Sequence, residues 1–181
     1  MRRLLAVTCV AVAMLAVPAV ARAQAKQGDK EVKIGGSLFS VMSTGSTFTS
    51  GQFDFGVGYF VSDRFEITVA PRITVSASGS GSTSGGSSVD VDGGVSFQGQ
   101  YFFGAQSSMV KPYIGVTEIV ESFKTNGGSF QDNLYTGAIF GVKNYFSDRA
   151  AFDVNAQYGF RTSAPGDFQL LSVTVGITYL F

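Results

Sequence analysis

The sequence has no histidine and a single cysteine, Cys9, among 181 residues, which removes the chemistries that most often mark an enzyme. Histidine is the commonest general base and metal ligand, and every Ser-His arrangement needs it. Serines, carboxylates and cations remain. The triplet Ser-Asp-Arg occurs twice, in Tyr59-Phe60-Val61-Ser62-Asp63-Arg64 and Asn144-Tyr145-Phe146-Ser147-Asp148-Arg149. Neither copy holds a base able to activate its serine. Ser and Asp between apolar runs bond the local backbone in turns, so both copies read as hairpin turns. Asp90-Val91-Asp92-Gly93-Gly94 resembles the start of a calcium loop but lacks the third acidic ligand and the bidentate Glu, and reads as a strand start with solvated aspartates. The Gly/Ser run at 79–88 contains no Gly-Lys-Ser/Thr and so is not a phosphate loop. No catalytic residue, cofactor or metal site is expected.

The elements that would carry the remaining polar residues follow a period of two. In Phe53-Asp54-Phe55-Gly56-Val57-Gly58-Tyr59 the odd positions are large and apolar while the even ones are small or charged, the pattern of a strand with two unlike faces. Phe65 to Val75, Phe152 to Phe160 and Val173 to Phe181 repeat it. Further strands are placed at roughly 31–43, 90–103, 111–123 and 134–146, eight in all. Faces are ambiguous in the first and fifth, where Glu118 and Glu121 fall on opposite sides. Short connections at 62–64, 104–110 and 147–149 alternate with longer ones, rich in Gly, Ser, Thr and Asn, at 44–51, 77–89, 124–133 and 162–168. Eight antiparallel strands with short turns at one end and long loops at the other predict an all-β, up-and-down transmembrane β-barrel.

The first 23 residues are set apart from this barrel. Arg2 and Arg3, the apolar run from Leu4 to Val17, and Ala21-Arg22-Ala23 form the three regions of a secretory signal peptide, cleaved near Ala23. Residues 24–30 would then be a short periplasmic segment and 31–181 the barrel. Removing Arg2, Arg3 and Arg22 from the 13 basic residues leaves 10 against 13 acidic, a formal charge of −3 that disfavours nucleic acid as a partner.

Alternation alone does not say whether the apolar face meets lipid, as in a membrane barrel, or a dry interior, as in a soluble ligand-binding barrel. Lipid is favoured because the minor face collects Asp54, Glu66, Arg72, Asp92, Lys143, Asp153 and Arg161 beside Gln98, Gln100 and Gln157, while the other face is almost free of charge. Tyr59, Tyr101, Tyr158 and Tyr179 lie on the apolar face, as an interfacial girdle requires. The terminal strand, with Val173, Val175, Ile177, Tyr179 and Phe181 at alternate positions, looks like the sorting signal of bacterial outer-membrane proteins. Across 31–181 the layout resembles the small eight-stranded barrels of the OmpA/OmpX/opacity type. That resemblance implies a Gram-negative outer-membrane location, assembly by outer-membrane machinery with periplasmic chaperones, contact with outer-membrane lipid, and a monomer. It implies a non-enzymatic role through surface loops, such as membrane integrity or adhesion. A narrow, porin-like channel for small or apolar solutes and a soluble periplasmic ligand-binding barrel are the alternatives.

Three finer expectations follow. If each Ser-Asp-Arg turn is centred on its aspartate, Asp54 faces Arg72 and Lys143 faces Asp153 across their hairpins, and each forms a lumen ion pair. Pro71, lacking an N–H within the third strand, calls for a bulge or a position near the outer rim. Phe181 has no obvious folding task at a frayed chain end, and its carboxylate belongs at the periplasmic interface.

Overall fold

A strand with one apolar and one polar face is satisfied only in a sheet that separates two environments, and closing that sheet removes its unpaired edges. The computed structural model describes residues 25–43, 46–80, 87–120, 134–162 and 169–181, and they form such a sheet. Its strands are β1 (Lys30–Ser43), β2 (Ser46–Ser62), β3 (Phe65–Ser80), β4 (Ser87–Phe102), β5 (Val110–Val120), β6 (Leu134–Tyr145), β7 (Ala150–Arg161) and β8 (Gln169–Leu180). Each pairs antiparallel with the next, and β8 returns to β1 from Glu31–Leu180 to Gly36–Val175, closing an eight-stranded barrel. The expected signal peptide, 1–23, and residue 24 lie outside the described residues, as do Glu121 and the connections 44–45, 81–86, 121–133 and 163–168. The turn end, opposite the loop end, carries residues 63–64, 103–109 and 146–149.

Two connections are shorter than expected. Ser43 pairs with Ser46, and Gly79 with Ser87, so strand pairing takes in most of 44–51 and both flanks of 77–89. Ser, Thr and Gly give no hydrophobic alternation to read, yet their backbones pair as well as any others once two hairpin strands are already in register. β2 has 17 residues and β3 and β4 have 16 each. Since about 9–11 residues cross a bilayer, these strands project beyond it at the loop end.

The apolar face points outward. Ile34, Val57, Ile114, Val116, Phe140 and Val173 are each more than half exposed, whereas the polar residues of the alternate positions are buried. A soluble ligand-binding barrel would have the opposite orientation, which excludes that alternative. Tyr59, Tyr101 and Tyr179 lie on the outer face toward the turn end, and Tyr158 toward the loop end.

Pro71 does not carry the expected bulge and does not lie at the rim. The register to β4 runs unbroken through Pro71–Val95. Toward β2 the ladder passes from Asp54–Arg72 to Val57–Val69 without a change of register. A missing donor interrupts one stretch of a ladder but does not require an inserted residue. The register shift in this hairpin falls instead between Phe60 and Ser62, beside the turn.

Candidate functional site

Alternate positions on all eight strands point into the barrel, and what they place there decides whether the interior is a passage. Among the described residues, eight buried side chains are charged: Glu31, Asp54, Glu66 and Asp153 against Lys33, Arg72, Lys111 and Lys143. Four of each sign balance among these buried residues. Each ion needs a partner, because an unpaired charge out of water costs several kcal/mol.

Toward the middle of the barrel, the Arg72 Nε donates to Asp54 Oδ1 at 2.9 Å, across the β2–β3 hairpin in the register given by the turn. The Gln52 amide donates to the other oxygen of Asp54 at 2.8 Å, and Arg72 Nη2 reaches Gln157 Oε1 on β7 at 3.3 Å. The Arg72 side chain thus spans the interior from one wall to another. Beside it, Gln100 donates to Gln98 at 2.8 Å, continuing the polar packing along β4.

Nearer the turn end the expected Lys143–Asp153 ion pair is not formed. The two residues are opposite each other on β6 and β7, but Lys143 Nζ donates across the lumen to Glu31 Oε1 at 2.5 Å and Glu66 Oε2 at 2.8 Å. Asp153 instead pairs with Lys33 and accepts the Tyr113 hydroxyl at 2.8 Å. Cross-strand proximity considers only the nearest neighbours within the sheet. Closure brings β1 and β3 round to face β6, and a lysine stem is long enough to cross an interior just wide enough for side chains. On its other side Lys143 faces Lys111, a like charge that favours turning toward Glu31 and Glu66.

Gly58 creates the space for this arrangement, since a Cβ there would collide with the Glu66 carboxylate. Gly141 does the same for Tyr113, whose hydroxyl lies 2.7 Å from where a Cβ would sit. Below the charges is an aromatic floor. Phe60, Phe102, Tyr113 and Tyr145 are all buried, with Phe102 centred 5.7 Å from Phe60 and 5.2 Å from Tyr113. Lys143 Nζ lies 5.0 Å above the Phe102 ring, where cation–π attraction adds to its ion pairs, and Lys111 Nζ lies 5.6 Å from the ring of Tyr145, where the aromatic face itself attracts the cation.

The remaining charged positions are peripheral. Asp92 is half-buried near the loop end, opposite Thr74. Arg161 pairs with Tyr135 in the ladder, and its side chain is outside the described residues. Glu118 takes an outward position and accepts the Thr136 hydroxyl at 2.8 Å. Among the described residues, no cluster of acidic or cysteine side chains could hold a metal ion.

Sequence reasoning missed Glu31, Lys33, Lys111 and Tyr113 as interior residues. A signal for the first two was present in the alternation Glu31-Val32-Lys33-Ile34. It is lost after Gly35-Gly36, where neither face has a side chain to read. In the final strand, Val173, Val175, Ile177 and Tyr179 all face outward beside the half-exposed ring of Phe181. That terminus is not frayed: the Phe181 N–H donates to Lys30 O at 2.9 Å, and the Lys30 N–H donates to Phe181 O at 3.1 Å.

The sequence matches the family model described as the OprF membrane domain over residues 5–180. No curated protein sequence matches it. Among solved structures, the fold is similar to neisserial surface protein A (NspA), at 16% identity over 86% of this chain and 98% of that one, with a TM-score of 0.56. It is similar to the outer membrane protein OprG of Pseudomonas aeruginosa, at 14% identity over 89% and 99% of the two chains, with a TM-score of 0.53. The N-terminal β-barrel domain of Pseudomonas aeruginosa OprF has 15% identity, coverage of 87% and 100%, and a TM-score of 0.50.

Proposed function

The chain belongs to the OprF membrane-domain family, and from that premise we propose that this outer-membrane barrel is a closed, non-catalytic structural protein whose exposed loops are its working surface. The observation that carries the reading is the occluded interior. Four acidic and four basic side chains are buried across the lumen; the Lys143 and Lys33 ion pairs link strands that are not neighbours, and Arg72, paired with Asp54 on the adjacent strand, reaches Gln157 on another wall. A transport path would need these partners to separate, leaving buried charges uncompensated. An eight-stranded barrel is narrow enough for side chains alone to fill.

In this reading the turn end is periplasmic and the loop end faces outward. Outer-membrane lipid covers the apolar band, and the protein works as a monomer. The outward alternation of Val173, Val175, Ile177, Tyr179 and Phe181 serves the assembly machinery and periplasmic chaperones before the strand enters the sheet. Conductance in planar bilayers tests the central claim. The purified barrel should give no reproducible open level, and a stable unitary conductance of the unaltered barrel would overturn it.

A further inference from the structure

The short segment ahead of β1 is built into the turn end. Ala25 is 1% exposed and packs in the cluster of Phe60, Phe102, Tyr113, Tyr145, Ala151 and Leu180, below the ion pairs. The residues after it are held by backbone bonds. The Gly28 N–H donates to Phe60 O at 2.8 Å, and the Phe60 N–H donates to Asp29 O at 3.0 Å. Asp29 accepts the Lys26 N–H at 2.7 Å, closing a tight turn in which Gly28 takes a φ of +94°, a conformation that glycine adopts without strain.

The clamp on this segment uses the repeated Ser-Asp-Arg motif. In both copies the serine Oγ accepts the arginine N–H, at 3.4 Å in the first and 3.3 Å in the second, so serine alone accounts for the local turn. Asp63 instead reaches away from its hairpin. It accepts the Gln27 N–H at 2.8 Å and the Gln106 side-chain amide at 2.6 Å, joining the N-terminal segment, the β2–β3 turn and the β4–β5 connection. At the second copy, Asp148 and Arg149 line a cleft of about 240 Å³ with Lys26 and Asp29.

We propose that residues 25–29 are a stopper that seals the turn end of the lumen, with Ala25 as its tip and the Asp63 of the first Ser-Asp-Arg turn as its latch. The segment is therefore part of the closed state and not a linker into the periplasm. An apolar residue pressed under an aromatic floor excludes water from the Lys143–Glu31–Glu66 group, and a latch outside the sheet lets residues 25–27 swing away while the bonds of Gly28 and Asp29 to Phe60 stay in place.

Thiol accessibility tests this on the full-length chain recovered from outer membranes, because the chain's only cysteine, Cys9, lies in the expected signal peptide. Ala151 is fully buried behind the stopper and Ser107 is exposed on the turn-end surface. A charged methanethiosulfonate should label Ala151→Cys at least tenfold more slowly than Ser107→Cys. Adding Asp63→Ala should raise the Ala151→Cys rate at least tenfold, whereas Asp63→Asn, which keeps an acceptor for the Gln27 N–H, should leave it slow. Deletion of residues 24–27 removes the tip of the stopper and its latched residue Gln27 without touching a strand and should act like Asp63→Ala. Fast labelling of Ala151→Cys in the unaltered background overturns the proposal, as does a rate that neither change increases. Electrophoretic migration reports folding, and failure of both altered barrels to fold also overturns it, since a stopper is dispensable to the sheet.

Discussion

Replacing Lys143 by methionine probes the group that holds the lower interior together. Lys143 is 1% exposed and bridges Glu31 and Glu66 at 2.5 and 2.8 Å. Methionine keeps most of the stem's volume, so lost packing contributes little. What is lost is the only cation hydrogen-bonded to either carboxylate among the described residues. Removing one partner of a buried ion pair costs about 3–5 kcal/mol because the other charge stays buried. With a urea slope of about 2 kcal/mol/M, the unfolding midpoint should fall by about 2 M. The chain has no tryptophan, so unfolding in lipid vesicles is best followed by far-UV circular dichroism together with the mobility difference between folded and unfolded barrel. Removing all three charges, in Lys143→Met with Glu31→Gln and Glu66→Gln, should restore the midpoint to within about 0.5 M, since a neutral interior has no ion to compensate. An unchanged midpoint for Lys143→Met would refute the reasoning. So would rescue by Asp153→Asn in place of the two glutamine substitutions, because Lys143 would then depend on its cross-strand neighbour.

Two other predictions concern the ends of the chain. Deleting Phe181 should sharply lower outer-membrane levels in cells while the purified chain still folds into vesicles, because the half-exposed ring contributes at most about 2 kcal/mol of burial; equal cellular assembly of both chains would remove its role as a sorting signal. At the other end, the hydrogen bonds from Gln27 and Gln106 hold the Asp63 carboxyl below the usual carboxylate range, helped by the charges of Lys26 and Lys111. A lowered folded value makes its contribution complete above the unfolded value of about 3.9 and lost as pH falls below it toward the folded value. The difference in urea midpoint between the unaltered barrel and Asp63→Ala should therefore stay constant from about pH 8 to 5 and shrink below about pH 4; a difference that grows on acidification would contradict the latch.

Much of the architecture is a consequence of local rules and could be read without coordinates. A period of two assigns each side chain to a face, so Asp54, Glu66, Arg72, Lys143 and Asp153 fall on the side opposite Val57, Ile67 and Val154. A turn centred on Asp63 puts Asp54 opposite Arg72 by counting residues, and the two are bonded. The same count puts Lys143 opposite Asp153, correctly as register and wrongly as an ion pair. Counting along a hairpin reaches only adjacent strands. Lys143 meets Glu31 and Glu66, 112 and 77 residues away in sequence, because the sheet closes and its opposite walls come within the length of a lysine side chain.

The two Ser-Asp-Arg turns divide in the same way. Composition and spacing determine that both are turns, because the serine hydroxyl satisfies a backbone N–H two residues away whatever surrounds it. That Asp63 holds Gln27 and Gln106 is decided by the fold alone. Nothing in the sequence near Asp63 names a partner 36 residues upstream or 43 downstream, since only the lateral pairing of β1 to β5 brings the segment ahead of β1 and the β4–β5 connection to the same stretch of rim. Strand identity, hairpin register and, where the alternation is clear, facing are properties of short segments, so the sequence by itself determines them; in β1 and β5, where glycines and mixed positions blur the alternation, it does not. The contents and closure of the lumen depend on which distant side chains meet inside a space just wide enough for side chains to fill, and only the tertiary structure decides that.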